Sequence, residues 1–315
     1  MFDNCPYQNL FKKKKALITG GAGFIGSHLT QHLSQLGCSV HVLDNFSTGK
    51  RINLDGVKAK IIEGSILDQD TVQAAVQGCD FVFHLAGMVS VPVSIQEPNV
   101  CFHTNIDGTK IVLNASINAG VSRLLFASSS ACYGKTPSLP SKETDPVSFE
   151  SPYAESKFRV EQLLQNECSI DSVSFRFFNV FGQRQDPHSP YAAVVSAFQH
   201  ALESGKTPMV YGDGSQTRDF VAVENIVHAL LLAASHSRRF QGEVFNVGTG
   251  AANSIIELLH LMANEEELRF EFVPSRDGDV LHSCASIEKL SAVLGYKPII
   301  STKDALLKLV NPMMP

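Results

Sequence analysis

Short apolar runs alternate with stretches of helical spacing along the first half of the chain, and this rhythm restricts the fold more than any other feature. Ala16-Leu17-Ile18, Val40-His41-Val42-Leu43, Ile61-Ile62, Phe81-Val82-Phe83 and Leu124-Leu125-Phe126 have the length and character of buried parallel strands, each followed by a helical stretch. Gly20, Gly37, Gly64, Gly78 and Gly120 fall near the turns between these elements. Strands separated by helices pair in parallel, so the expected class is α/β, a doubly wound parallel sheet of the Rossmann type.

Beyond Val173-Ser174-Phe175-Arg176-Phe177 the rhythm loosens into loops rich in Pro, Gly and Asp, with a helix near Glu224 to Ser235 and a strand near Glu243 to Val247. A length of 315 residues suits one large unit carrying a smaller lobe. The expected division is residues 1–178 for the sheet domain, with the strand at 243–247 returning to it, and residues 179–315 for a smaller C-terminal domain that binds substrate.

Composition removes several functions. Hydrophobic residues make up 44% of the chain and charged ones 18%, enough for a packed interior. The net charge of -5 and the lack of a basic stripe interleaved with aromatics argue against nucleic acid. The one basic run, Lys12 to Lys15, reads as a solvated strand edge. Seven scattered cysteines without CxxC spacing suit a reducing compartment. With neither an apolar signal core at the N-terminus nor a membrane-length apolar run, a cytoplasmic location is expected.

The first strand runs into Gly20-Gly21-Ala22-Gly23-Phe24-Ile25-Gly26 and then the helix Phe24 to Leu36. Glycines at 20, 23 and 26 permit a tight turn and let backbone N–H groups at a helix start approach a pyrophosphate. An ordinary glycine-rich turn would look the same in isolation. Asp44 ends the second strand at the distance from Gly26 where a carboxylate accepts ribose hydroxyls, although a turn or capping aspartate is the plainer alternative. A carboxylate there repels a 2′-phosphate, which favours NAD over NADP.

After the fifth run come Ser128-Ser129-Ser130-Ala131-Cys132-Tyr133-Gly134 and then Tyr153-Ala154-Glu155-Ser156-Lys157 on a predicted helix. Four positions apart, Tyr153 and Lys157 share a helical face. Alone, that spacing also arises by chance, and the serines could merely cap a strand. Taken together they make an acid–base set. A phenol of ordinary pKa about 10 needs nearby positive charge to act as a base near neutrality; Lys157 and an oxidised nicotinamide would supply it, and Ser130 would hydrogen-bond the reacting oxygen and relay its proton.

The motifs GGAGFIGSHL, DNFSTGK, HLAG, SSSACYG, SPYAESK, RFFNVFG, GDGSQTRDF and RDGDV resemble UDP-sugar 4-epimerases of the extended short-chain dehydrogenase/reductase family, over nearly the whole chain. The resemblance implies Ser130, Tyr153 and Lys157 as the catalytic group, with Tyr153 taking the proton of the sugar 4-hydroxyl and a 4-keto sugar as transient intermediate. It implies an NAD site formed by Gly20, Gly23, Phe24, Ile25, Gly26, Asp44, Asn45, Ser47, Thr48, Gly49, Ser65, Ile66, Leu85, Ala86 and Gly87, together with Tyr153 and Lys157. For the UDP-sugar it implies Ser129, Ser130, Asn179, Arg218, Arg276 and Ser283, the arginines suiting the diphosphate through their forked donors. Arg218 beside Asp219 also reads as a structural ion pair, and Ser283 as a small loop residue. In relatives the position of Ser283 borders the sugar 2-substituent, so a small residue implies room for an N-acetyl group. A homodimer through helices near Asn99 to Asn118 and Pro152 to Gln165 is implied as well.

Three departures stand out: Ser65 and Ser286 occupy positions where relatives commonly have aspartate, and Val89 one where some glucose-type members have lysine. Two rivals share the scaffold. A nucleotide-sugar dehydratase or decarboxylase carries acidic residues after the catalytic hydroxyl, where this chain has Ala131 and Cys132, and a silent NAD-binding regulator typically loses the tyrosine or lysine, both kept here. His28 and His32 have ligand spacing on one helix, but no third ligand is evident nearby and no metal is expected.

Overall fold

Alternate residues of the predicted strands feed two separate cores, which is why those runs read as continuously apolar. The computed structural model describes residues 5–134, 139–186, 194–263, 268–275 and 280–311. The first six strands are β1 (Lys15–Thr19), β2 (Ser39–Asp44), β3 (Ala59–Glu63), β4 (Phe81–His84), β5 (Arg123–Ser129) and β6 (Asp171–Phe177). Shorter strands follow: β7 (Asn179–Phe181), β8 (Met209–Tyr211), β9 (Thr217–Arg218), β10 (Phe220–Ala222), β11 (Glu243–Val247), β12 (Asn253–Ser254) and β13 (Glu271–Val273). One seven-stranded parallel sheet has the order β11-β6-β5-β4-β1-β2-β3. The strand expected to return to the sheet does so, pairing β11 with β6 from Glu243↔Val173 to Val247↔Phe177.

Ala16, Ile18, Val40, Val42, Phe81, Phe83, Leu125, Val173 and Phe175 face one core, shared with α1 (Phe24–Gln35). Leu17, Leu43, Val82, Leu124 and Phe126 face the other, covered by α2 (Gln69–Val76) and by later helices. Between α2 and β5 the chain forms α3 (Val91–Gln96), α4 (Pro98–Phe102), a π turn at His103–Asp107 and α5 (Gly108–Asn118). After β5 come a 3-10 turn, Ser130–Tyr133, and α6 (Pro152–Asn166). α1 stops one residue short of the predicted end, where Leu36 caps it and Gly37 leaves in the left-handed region at φ +79°.

A third core belongs to the C-terminal half: Phe181, Phe198, Val210, Phe220, Leu258, Leu259 and Leu306 cluster there, with α7 (Val194–Glu203) against it. α8 (Val223–Ser235) returns to the sheet side, packing beside α1. Two buried ion pairs secure the far edge of the sheet. Arg123 meets Asp171 at 2.6 Å and caps the end of α8 through the His236 carbonyl at 2.9 Å, while Arg176 meets Glu161 at 2.7 Å. Further hydrogen bonds hold Arg123, Asp171 and Glu161, without which burial would be costly, whereas the Arg176 guanidinium lies 4.8 Å from the Tyr133 ring centre with its Nη1 buried and without a hydrogen-bond partner among the described residues.

Among the described residues no helix is long and apolar enough to cross a membrane, and no three metal-binding side chains converge. His28 Nε2 donates to the Gln183 carbonyl at 2.9 Å, and its ring packs edge-on to Phe24.

Candidate active site

The sheet order reverses between β1 and β4, so the helices that follow the two strands cover opposite faces of the sheet, the point at which such sheets hold a ligand in a crevice beyond the strand ends. The loop after β1 lies hard against the loop after β4. A Cβ on Gly20 would stand 2.8 Å from Ala86 N, and one on Gly26 would stand 2.1 Å from the Gly20 carbonyl oxygen. Gly20 also sits at φ +72°, where a side chain is strained. Gly23 caps α1 without a side-chain hydrogen bond, which leaves the first-turn N–H groups of Phe24, Ile25 and Gly26 directed out of the helix.

Asp44, 7% exposed, ends β2 beside this loop. Its Oδ2 accepts from Ala22 N at 2.9 Å and its Oδ1 from Phe46 N at 2.8 Å, so each oxygen keeps a lone pair for a sugar hydroxyl. The segment Asn45 to Lys50 folds back over the glycine loop: Ser47 is held by Asn45 Oδ1, Thr48 is exposed, and Gly49 fits where a Cβ would lie 2.9 Å from Asp44 Oδ1. Ser65 turns the chain after β3 by accepting from Leu67 N at 3.2 Å, and Ile66 packs under Gly108. Leu85 and Ala86 are fastened to β1 through the Thr19 carbonyl and hydroxyl. Shape and donors fit a dinucleotide: two glycine positions that reject a Cβ, amides for the diphosphate, and a carboxylate for the ribose.

α6 stands across the crevice because Ser151 caps it and Pro152 opens it. It brings Tyr153 and Lys157 to the end of β5. Lys157 is buried and donates to the Ala127 carbonyl at 2.8 Å, with its ammonium 4.8 Å from the Phe126 ring centre and 5.8 Å from that of Tyr153. Burial pushes the Lys157 pKa down to about 8. Burial likewise raises Tyr153, to about 12, against the opposing pull of a side-chain hydrogen bond with Ser129. That partner differs from the sequence expectation, which gave the hydroxyl role to Ser130. Ser129 is the last residue of β5 and its oxygen also accepts from Ala131 N at 3.2 Å, whereas Ser130 has already entered the 3-10 turn. Ser128, on the opposite face of the strand, donates to Glu161 at 2.5 Å.

Buried polar residues behind the site went unread in the sequence. Asn105, in the π turn, accepts from Met88 N at 2.7 Å, donates to the Met88 carbonyl at 3.1 Å and donates to Ser156 Oγ at 2.9 Å. It therefore ties the loop after β4 to α6. His84 bridges Thr19 Oγ1 at 2.7 Å and Thr109 Oγ1 at 2.8 Å, fully buried. The signal available was the spacing Cys101, Asn105, Thr109, one helical face of polar residues in an otherwise apolar setting.

Of the predicted substrate residues, Ser129 and Ser130 stand at the end of β5, and Asn179, Arg218 and Ser283 belong to the C-terminal half. Asn179 starts β7 and donates its backbone N–H to the Asp219 carbonyl at 3.0 Å. Arg218, on β9, donates to the carbonyls of Thr217 and Leu281 at 2.9 and 3.2 Å. Its neighbour Asp219 is fully buried and spends its carboxylate on Thr249, Gly250 and Ala285. Ser283 donates its N–H to the Thr217 carbonyl at 3.0 Å, which brings it alongside β9 and within reach of the Arg218 strand. Arg276 lies outside the described residues. A cavity of about 810 Å³ opens at the β11 edge beside Arg176 and contains none of these residues.

Across the lobe boundary, Lys50 pairs with Asp186 at 3.3 Å and Arg184 donates to Gln31 on α1 at 2.6 Å.

Residues 16–248 match the model of the NAD dependent epimerase/dehydratase family. A UDP-glucose 4-epimerase of Mycolicibacterium smegmatis is 36% identical over 308 residues, 94% of this chain and 97% of that one. A UDP-N-acetyl-alpha-D-glucosaminuronate decarboxylase of Bacillus cytotoxicus is 34% identical over 313 residues, 93% and 96% of the two chains. Among solved structures, the UDP-N-acetylglucosamine 4-epimerase of Methanobrevibacter ruminantium, in complex with UDP-N-acetylmuramic acid, superposes with a TM-score of 0.89 at 36% identity, covering 95% of this chain and 97% of that one. A doubly wound sheet, a glycine cradle with Asp44 beside it and a Tyr-Lys pair at the end of β5 agree with these matches, and the chain belongs to the NAD dependent epimerase/dehydratase family.

Proposed function

We propose that the protein is an NAD-dependent 4-epimerase of UDP-hexoses that accepts N-acetylated sugars. The observation that carries this reading is the placement of Tyr153 and Lys157 at the end of β5, with the buried Lys157 ammonium 5.8 Å from the tyrosine ring centre and held by the Ala127 carbonyl. When bound, NAD takes up and gives back the hydrogen of the sugar carbon, so no net redox change is needed. Tyr153 receives the proton of the 4-hydroxyl and returns it after the 4-keto sugar has turned over. Ser129, the last residue of β5, bonds the reacting oxygen and steadies the phenolate, the role the motif alone assigned to Ser130. A charged Lys157 lowers the phenol further towards neutrality.

The substrate side rests on Asn179 and Arg218 as diphosphate donors, with Arg276 a third by resemblance. Ser283, small and fastened beside β9, leaves room for an acetamido group. The similar epimerases are named for UDP-glucose and for UDP-N-acetylglucosamine, which brackets the expected range.

A decarboxylase or dehydratase is the second reading, favoured by the decarboxylase relative. Against it stand Ser130 and Ala131 after Ser129, and a buried Cys132 thiol that burial pushes up to about 12, so no acidic group follows the hydroxyl. Incubating the purified protein separately with UDP-glucose and UDP-N-acetylglucosamine and chromatographing the products tests the proposal. The expected result is the C4 epimer of UDP-N-acetylglucosamine; a product lighter by water or carbon dioxide, or none, contradicts it.

A further inference from the structure

Tyr153 is held by its backbone as well as by its phenol. Pro152 opens α6 without an N–H, so Tyr153 carries the first amide of the helix, and no carbonyl within the helix can accept from it. The cap is already committed: Ser151 Oγ accepts from Ala154 N at 3.2 Å and the Ser151 carbonyl from Glu155 N at 3.1 Å. The Tyr153 amide is answered from another element, donating to Ser94 Oγ on α3 at 3.2 Å. Ser94 is fully buried and gives its own proton to the Val91 carbonyl at 2.6 Å, so an acceptor lone pair is what it presents to Tyr153.

The other side of the same residue is held too. The Tyr153 carbonyl accepts from Ser156 Oγ at 2.7 Å, and that oxygen accepts from Asn105. Both peptide groups flanking the Tyr153 Cα are thus tied to the segment that runs from the loop after β4 to the π turn.

We propose that Ser94 is a positioning residue for the reaction: by accepting from the Tyr153 amide, it fixes the tilt of the first turn of α6 so that the phenol meets Ser129. This rests on the reading of Tyr153 as the base. A side-chain rotation of a few degrees at the start of α6 is amplified at the phenol oxygen, which lies at the far end of the ring, and misplacement of a reacting group by about 1 Å costs up to roughly a hundredfold in rate.

The test compares wild type with Ser94→Ala, Ser94→Thr and Tyr153→Phe, measuring kcat, KM, bound NAD per chain and the pH profile of kcat on UDP-N-acetylglucosamine. In Ser94→Ala, kcat falls about tenfold or more while KM and NAD content stay at wild-type values. The acid limb of the profile moves to higher pH, because a phenol pulled away from Ser129 loses a bond that favours its ionised form. Ser94→Thr keeps the acceptor and returns kcat towards wild type. Should the alanine variant not fold, Ser94→Cys, a weak acceptor of similar shape, carries the same expectation. Wild-type kcat and profile in the variant that lacks the acceptor, with Tyr153→Phe inactive, overturn the role of Ser94 and leave the base intact. Activity in Tyr153→Phe overturns the base, and this proposal with it. A joint loss of kcat, substrate affinity and NAD that the threonine variant does not restore marks Ser94 as merely structural and also overturns the proposal.

Discussion

The Lys157 ammonium lies 5.8 Å from the Tyr153 ring centre where β5 ends at Ser129, and the adjacent Ser130 begins the turn beyond it. The two serines should therefore differ in kinetic weight. Ser129→Ala removes a bond to a group that becomes charged, with a loss of about ten- to a hundredfold in kcat expected, and Ser130→Ala should cost less. Tyr153→Phe should lower kcat by about a hundredfold to ten-thousandfold while NAD stays bound. Steady-state kinetics on the three variants check the order. A larger loss from Ser130→Ala than from Ser129→Ala would return the role to Ser130.

Cofactor choice follows from Asp44. Its two oxygens keep one lone pair each, and its charge opposes a phosphate on the ribose. NAD should copurify with the protein, and Asp44→Ala should weaken NAD by about tenfold or more while narrowing the gap to NADP. Gly26→Ala, which drives a Cβ to 2.1 Å from the Gly20 oxygen, should empty the site. Calorimetry with both nucleotides reads this; tighter binding of NADP to the wild type contradicts the role of Asp44.

Substrate width rests on Ser283. Ser283→Tyr should depress kcat/KM for the acetylated sugars far more than for UDP-glucose, because overfilling a packed site strains or expels the ligand. Equal losses on both classes remove Ser283 from this role.

The parallel sheet was legible because alternating apolar runs and helical spacing leave few other folds, and even the return of β11 followed from Glu243 to Val247. The site was legible where a motif fixes a face, as for Tyr153 and Lys157 on α6. It was not legible at the end of β5. Three consecutive serines look alike in the sequence, and the change from extended backbone at Ser129 to the 3-10 turn at Ser130 shows only in the fold. Asn105 and Ser94 escaped for a related reason. Each is an ordinary polar residue in the sequence, and its meaning comes from contacts across 51 and 59 positions.

Acid should weaken the fold through His84. Burial holds its pKa down at about 3, with Lys157 the smaller cause, against 6.5 for the free side chain. The stability this neutral ring represents is complete above pH 6.5 and is lost as pH falls towards 3. Between pH 7 and pH 5 the loss should be about 2 kcal/mol. Urea unfolding at the two pH values should show a smaller difference in His84→Gln, whose side chain does not titrate. An unchanged difference places the acid sensitivity elsewhere.

The most direct measurement follows the hydrogen at C4 of the sugar by NMR while UDP-N-acetylglucosamine is converted in D2O. Oxidation and re-reduction inside one closed site predict that the C4 epimer forms with its original hydrogen and no deuterium at that carbon. Deuterium entering C4 at the rate of epimerisation, or no epimer at all, would contradict the account.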